Sequence, residues 1–590
     1  MSEPARLENP VRVDPAGSEA ATKPGRRFGA SEWSNIAVIA LALLLWAPRF
    51  SGPIDLRWDA GVYYLLGTSL AKGEGYRLAS EPGSPSALQY PPLLPAFVAL
   101  HQWALGTTDP AMVAPWLRSS YLALFVIYSL IVLALAKRYL SLGFALAATA
   151  LCMLHIMTIF LSDLLFAELP FAVVSVLFVL VAAYGAPTSR PWAREMVSFA
   201  LAAMGFLLRT TGVALLAAWV MEAIMRRRWR FAVVRGAFAL VPIMLWQAYV
   251  ERVRASDEYR RPAYSYQRAP YQYYNVSYAE NVLLIDPFRP ELGRLDGKGF
   301  ATRWVMNLVG MPAALAEAVT APNSFWQSAL QRAKRLVGDH RVPPGVVWVP
   351  LLGMGALVLA GIVILARRGA WLTVFIILIS VGLVCTTPWP AQFARYLAPL
   401  APFLAIAALS PLSSVAASLR VREPRWSITI GRLALAAMLV PAFIVQAHTA
   451  TWLFRGHQSE EAIWFVPGAS QAEAVRSFFH DRSWRAWEQA VAWIDTHAPA
   501  DAIVATTSPH LCYLLTGRRA VLPPMEIDPA HARQLLEAVP VSYIITDAFS
   551  YPIDSSRRYA LPAAEGDPAA WGVEYEVDNT RIYKHTGRTQ

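Results

Sequence analysis

Six charged residues sit where apolar stretches of the sequence give way to polar ones, and their types suit the chemistry of a phosphate-linked group. Asp59 follows the first apolar run within Arg57-Trp58-Asp59-Ala60-Gly61-Val62-Tyr63-Tyr64. Asp163 and Glu168 lie in Ser162-Asp163-Leu164-Leu165-Phe166-Ala167-Glu168-Leu169-Pro170-Phe171, at the turn between two apolar runs. Arg209 interrupts the stretch 196–225, and Arg395 opens a run after Pro388-Trp389-Pro390. A carboxylate can orient or deprotonate a hydroxyl, and a guanidinium can hold a phosphate through two parallel N–H bonds. An ionisable group at the mouth of a membrane bundle is costly and usually has a function. Each residue also has a quieter role. Asp59 is a favoured helix N-cap, and one of Asp163 and Glu168 can cap the next helix. Their spacing does not separate these two. Arg209 and Arg395 can snorkel to the headgroups, and Arg57 can pair with Asp59.

The elements that must position these residues are membrane helices. A chain of 590 residues with 56% hydrophobic and 16% charged residues, and a mean hydropathy of +0.37, is not an ordinary soluble globular protein. Apolar runs long enough for a hydrocarbon layer of about 30 Å occur near 34–50, 117–136, 139–160, 169–186, 231–250, 346–366, 370–386, 395–413 and 432–450. The stretch 196–225 reads as two short helices meeting at Arg209-Thr210-Thr211-Gly212, for about eleven spans in all. The net charge of +11 arises largely from Arg and Lys in short loops at every second crossing. That pattern orients the chain, and argues against nucleic acid as a partner. It places the N-terminus in the cytoplasm and the loops 51–116, 251–345 and 387–394 outside.

Residues 1–33 read as a disordered cytoplasmic arm, 34–450 as the transmembrane domain and 451–590 as a soluble extracytoplasmic α/β domain. In that last part a helix is expected over Trp487–His497, strands over 502–506 and 541–546, a helical turn from His510 to Leu515 ended by Gly517, and a terminal hairpin around Asp578-Asn579. The loop 251–345, with its Tyr- and Pro-rich patch from Tyr259 to Tyr278, is long for a structureless connection and is expected to cap the site. Its aromatic residues suit either sugar stacking or the headgroup interface. Cys152, Cys385 and Cys512 are too scattered for a disulfide framework or a zinc cluster. Asn275-Val276-Ser277 is a sequon that chance often supplies, and His101 and His155 read as satisfied bundle residues.

The segment from Arg57 to Tyr64, continuing through Gly73-Glu74-Gly75-Tyr76-Arg77 to Tyr90-Pro91-Pro92, resembles the first external loop of the GT-C glycosyltransferases. Glu168-Leu169-Pro170-Phe171 is similar to the second acidic motif of that superfamily, with Asp163 close by, and Arg395-Tyr396-Leu397-Ala398-Pro399 is similar to its late Arg-Tyr motif followed by Pro. The pattern is similar to that of the protein O-mannosyltransferases and the lipid A aminoarabinose transferases. Two departures are plain: the former have Asp-Glu where this chain has Asp59-Ala60, and the latter have a Lys before Pro where it has Tyr90-Pro91.

The resemblance implies an α-helical polytopic membrane protein of GT-C fold. It would be an inverting transferase moving a sugar from a polyprenyl-phosphate donor to a protein, lipid or cell-envelope glycan acceptor, on the outer face of the inner (plasma) membrane. Asp59 with Asp163 or Glu168 would be catalytic. Arg209, Arg395 and Arg57 would bind the donor phosphate, Tyr63, Tyr64, Tyr90 and Tyr396 would line the pocket, and no metal or cofactor is called for. Its rivals are a transporter or flippase of a lipid-linked or polar solute, and a non-catalytic relative that keeps the fold for assembly.

Overall fold

The computed structural model describes residues 29–50, 52–185, 191–337, 344–422, 425–459, 461–464, 473–549 and 554–588. Most of the expected N-terminal arm lies outside these. The chain opens with α1 (Ala30–Trp46), a 3-10 turn Ala47–Arg49, and a loop that leads into α2 (Asp59–Ala71) and α3 (Leu93–Leu105). The long α4 (Pro110–Tyr139), capped by the Asp109 carboxylate on the Ala111 amide at 2.9 Å, returns across the bundle. Two shorter helices follow, α5 (Leu142–Leu154) and α6 (Ile156–Asp163), bent by 51° at the break between them. His155 makes this break, its Nδ1 accepting from the Met157 amide and its Nε2 meeting the Glu317 carbonyl at 2.8 Å. The sequence alone reads this segment as one continuous run.

Then come α7 (Glu168–Tyr184), α8 (Pro191–Leu208), α9 (Val213–Met225) and α10 (Trp229–Ala255). Arg209 stands in extended conformation between α8 and a 3-10 turn leading to α9, as the polar break in the sequence suggests. The turn is tight: a Cβ on Gly212 would sit 2.3 Å from the Gly205 carbonyl oxygen, so only glycine permits this approach.

The stretch read as the outer loop 251–345 divides into two kinds of structure. Its first part carries two single turns, α11 (Asp257–Arg260) and α12 (Tyr278–Val282). It folds around the buried Glu81, which accepts from Tyr264 Oη at 2.8 Å and from Asn275 Nδ2 at 2.8 and 3.0 Å. The Asn275 side chain of the sequon is thus consumed internally. Its second part is helical: α13 (Gly297–Val319) and α14 (Asn323–Val337), bent by 66° at their junction, with Met311, Leu315 and Val319 buried. The bundle is completed by α15 (Trp348–Arg367), α16 (Trp371–Val384), the short α17 (Phe393–Leu397), α18 (Ala401–Arg422) and α19 (Arg425–Ser459).

Among the described residues five helices are long and apolar enough to cross a membrane, or seven if each bent pair is one span, and four shorter apolar helices stand beside them. Helices suit this setting because each satisfies its own backbone groups without water.

Beyond the bundle, β1 (Glu461–Trp464) and β2 (Glu473–Arg476) pair antiparallel. The C-terminal α/β unit then runs α20 (Arg482–His497), β3 (Val504–Ala505), α21 (Pro509–Thr516), β4 (Ala520–Val521), α22 (Pro529–Ala538), β5 (Tyr543–Thr546), α23 (Leu561–Glu565), β6 (Trp571–Val577) and β7 (Thr580–His585). Its five strands lie in the order β4-β3-β5-β7-β6, parallel across β4-β3-β5 and antiparallel from β5 onward. The expected helix, strands and terminal hairpin are all present, and Gly517 ends α21 with φ +70°.

Two local arrangements position the charged residues. The backbone of Asp55 bridges to Leu164, with the Asp55 amide on the Asp163 carbonyl at 3.0 Å and the Leu165 amide on the Asp55 carbonyl at 3.1 Å. This brings the start of α2 beside the start of α7. The C-terminal unit is anchored on that loop and on the one that follows α2. Arg57 donates to the carbonyls of Phe478 and Phe479, the Ala520 amide meets the Ser80 carbonyl at 2.8 Å, and Trp58 and Trp484 meet edge to face at 5.5 Å.

Candidate active site

Asp59 and Glu168 are the first residues of α2 and α7, where helix dipoles favour negative charge. Arg395 of α17 lies between them. Its Nε reaches Glu168 Oε1 at 2.9 Å and its Nη2 reaches Asp59 Oδ2 at 2.5 Å, with the guanidinium over the Phe166 ring. Arg209 donates from Nη1 to the same Glu168 oxygen at 2.5 Å, and Tyr274 Oη donates to Asp59 Oδ1 at 2.9 Å. The result is one connected chain, Arg209–Glu168–Arg395–Asp59–Tyr274, with two carboxylates balanced by two guanidiniums. Trp58, just before Asp59, has φ +56°, a conformation that costs a non-glycine residue energy and is often found at functional sites.

This chain of charges borders a cavity of about 460 Å³. Asp59, Arg209 and Arg395 line it, as do Tyr63, Tyr90 and Tyr396, whereas Glu168 sits behind the arginines and is almost wholly buried. Much of the wall is aromatic. Tyr63 and Tyr90 rings meet at 4.6 Å, Tyr90 and Tyr274 at 5.9 Å, and Tyr273 and Trp389 at 5.6 Å. Such faces suit the C–H surfaces of a sugar ring or a lipid tail. Each guanidinium carries five donors and spends only part of them on the two carboxylates, leaving N–H groups for an incoming anion.

Three of the residues singled out from sequence stand elsewhere. Asp163 is bound by Arg118 at 2.6 Å and approached by Arg49 at 3.9 Å, all three buried in the bundle and off the cavity. Arg57 pairs with Asp55 rather than Asp59, Nη2 to Oδ2 at 2.6 Å. Tyr64 is buried with its hydroxyl on the Thr108 carbonyl at 2.9 Å. The geometry therefore separates the two acidic candidates that spacing could not: only Glu168 joins Asp59 through a shared arginine.

Other groups at the cavity were not legible in sequence. Tyr274 lies in the expected aromatic patch, but nothing there marks it out from its neighbours. The C-terminal unit adds Trp484, Thr507, His510 and Phe549 to the wall, across more than 400 residues of sequence. Both site carboxylates are held by guanidinium, and among the described residues no three His, Cys, Asp or Glu side chains converge as a metal would require.

No protein-family model matches the chain, and no curated protein matches it in sequence. Solved structures do. The oligosaccharyltransferase AglB from Archaeoglobus fulgidus, in complex with an inhibitory peptide and a dolichol-phosphate, superposes with a TM-score of 0.52 at 12% identity, covering 95% of this chain and 74% of that one. The Archaeoglobus fulgidus oligosaccharyltransferase in complex with Zn and sulfate gives 0.51 at 12%, covering 94% and 73%. ArnT from Cupriavidus metallidurans bound to undecaprenyl phosphate gives 0.49 at 11%, covering 94% and 98%. The two oligosaccharyltransferase structures thus show the fold of this chain to be the GT-C fold.

Proposed function

We propose that this protein is an inverting membrane glycosyltransferase that moves a sugar from a polyprenyl-phosphate donor to an acceptor on the extracytoplasmic side of the inner membrane. The observation that carries the reading is the connected set Asp59, Arg395, Glu168 and Arg209, in which Asp59 and both arginines line one aromatic cavity and Glu168 holds the arginines from behind. A lipid phosphate entering beside Arg209 and Arg395 finds two guanidiniums preorganised by Glu168, which need no reorganisation as negative charge develops on the leaving group. When Arg395 Nη2 exchanges Asp59 for a phosphate oxygen, the Asp59 carboxylate is freed to orient or deprotonate the acceptor.

The acceptor oxygen or nitrogen then bonds to the anomeric carbon from the face opposite the phosphate. Its proton passes to Asp59, the bond from the anomeric carbon to the phosphate oxygen breaks, and polyprenyl phosphate leaves with the electron pair. Glu168 touches the arginines and acts by positioning them. The AglB structure of the same fold is in complex with an inhibitory peptide and a dolichol-phosphate, which supports a lipid phosphate as the ligand of such a bundle. The C-terminal unit, seated on the cavity, is assigned to the acceptor side. The acceptor is a protein, a lipid or a cell-envelope glycan.

The test is transfer of radiolabelled sugar from a panel of polyprenyl-phosphate donors into envelope fractions by the purified wild type and by Asp59→Asn. Loss of about 10²–10⁴-fold in the variant, with unchanged melting, is expected for a base of this kind. Equal transfer by the two proteins would remove Asp59 from the chemistry. Wild type that moves the lipid-linked sugar across vesicles without transferring it would point to a flippase instead.

A further inference from the structure

The proposed transfer uses Asp59 and two arginines, yet the cavity holds another group built for a ligand. His510, the second residue of α21, is 4% exposed and lines the cavity beside α2. Its Nδ1 is fixed by Ser80 Oγ at 2.7 Å, whereas its Nε2 is buried with no hydrogen-bond partner. Its ring lies 4.9 Å from that of Tyr274, the tyrosine that donates to Asp59. Helix α21 packs closely on α2 at this point: a Cβ added at Gly61 would stand 3.6 Å from the His510 Cβ, an ordinary van der Waals contact.

A buried polar atom without a partner is uncommon in folded proteins and asks for an explanation. Four more such atoms belong to residues that line the same cavity: Gln89 Oε1, Tyr90 Oη, Asn281 Oδ1 and Trp389 Nε1. Donors and acceptors set among aromatic faces make a wall suited to a polyhydroxylated molecule. Burial holds the His510 ring neutral, its pKa lowered to about 3 despite the nearby Asp59. A neutral imidazole has one donor and one acceptor nitrogen, so with Nδ1 committed to Ser80 the other nitrogen is left for the cavity.

We propose that His510, supplied by the C-terminal unit, is a substrate-contacting residue whose Nε2 hydrogen-bonds a substrate hydroxyl held beside Asp59. This rests on the transferase reading above. The hydroxyl belongs either to the donor sugar or to the acceptor, and the two are told apart by which Michaelis constant responds. His510 carries no proton transfer in this role. It selects and orients, and it makes the site complete only when the C-terminal unit is docked.

The test compares full-length purified wild type with His510→Asn, His510→Gln and Ser80→Ala. Asparagine places a polar atom near the Nδ1 position and keeps the Ser80 contact, whereas glutamine reaches to the Nε2 position. Each protein is assayed for kcat and KM with donor and acceptor varied separately, for melting, and for binding of undecaprenyl phosphate alone. The expected result is that H510N melts and binds undecaprenyl phosphate like the wild type but loses about 10- to 100-fold in kcat/KM, with H510Q recovering a clear part of the loss. A rise in acceptor KM would assign the hydroxyl to the acceptor, and a rise in donor KM to the donor sugar.

Unchanged kcat/KM in H510N overturns the inference. So does a loss in S80A as deep as in H510N with no recovery in H510Q, since the histidine would then only hold the two units together. A wild type that neither binds undecaprenyl phosphate nor transfers from any donor would overturn the transferase reading itself, and this inference with it.

Discussion

At the scale of single residues, the two acidic candidates are predicted to fail in different ways. Asp163 is enclosed with Arg118 and Arg49, all three essentially without solvent. Asp163→Asn leaves two guanidiniums buried without their carboxylate, and breaking a buried pair in this way costs about 3–5 kcal/mol. The expected outcome is poor yield and a lowered melting temperature, with near-normal transfer per folded molecule. Glu168→Gln keeps the shape and one acceptor, but Arg209 and Arg395 lose the charge that aligns them at the cavity. Transfer should fall by about 10²–10³-fold, the range seen on removing one preorganised electrostatic contact, with a smaller change in melting because both arginines reach the open cavity. The pair of measurements is kcat/KM beside thermal melting for each variant. The reverse pattern would return the catalytic assignment to Asp163. From sequence the two were inseparable because both lie at the same turn, within five residues. What distinguishes them is the partner across the bundle, 45 residues away for Asp163 in Arg118 and 227 away for Glu168 in Arg395.

At the scale of elements, Arg209 depends on the closeness of α8 and α9. Gly212 packs on the backbone of Gly205, so Gly212→Ala must open the hairpin or shift the turn that carries Arg209. Overpacking of this sort costs about 1–3 kcal/mol, and a displaced guanidinium should weaken undecaprenyl phosphate binding about tenfold or more. Titration of the purified variant with that lipid checks this, and wild-type affinity would show that the hairpin does not set the position of Arg209. This break was legible in sequence because an arginine, two threonines and a glycine interrupt an otherwise apolar run. The bend between α5 and α6 was not, since His155 is a single polar residue whose capping role depends on the Glu317 carbonyl of another helix. The amphipathic pattern of α13 is legible near 300–318, but its packing against α15 and α18 is not, because those helices come later in the chain. The small C-terminal sheet was easier to read, because short β-branched and aromatic runs bounded by turn residues carry a local signal.

At the scale of the whole molecule, the site is closed by a unit that the membrane bundle does not covalently surround, and the contacts that seat it include a buried histidine. His510 has a folded pKa of about 3 against an ordinary value of 6.5, with burial the dominant cause and Asp59 opposing it. The docked form therefore binds fewer protons than an undocked form whose histidine meets water. Docking is fully favoured above about pH 6.5 and weakens as the pH falls from there toward 3. At pH 4.5 the undocked histidine is two pH units below its ordinary pKa, so this one group should cost about 2.7 kcal/mol, or about two powers of ten in the opening equilibrium. Other groups also titrate in this range, so the readout is a difference. Hydrogen exchange or limited proteolysis across α20 and α21 is followed at pH 7.5 and 4.5 in the wild type and in H510N. The wild type is expected to open more on acidification than the variant, by nearly that factor, since asparagine does not titrate. An equal acid response in both proteins would mean that His510 stays enclosed when the unit moves, and that the two halves of the site part along some surface other than the one between α21 and α2.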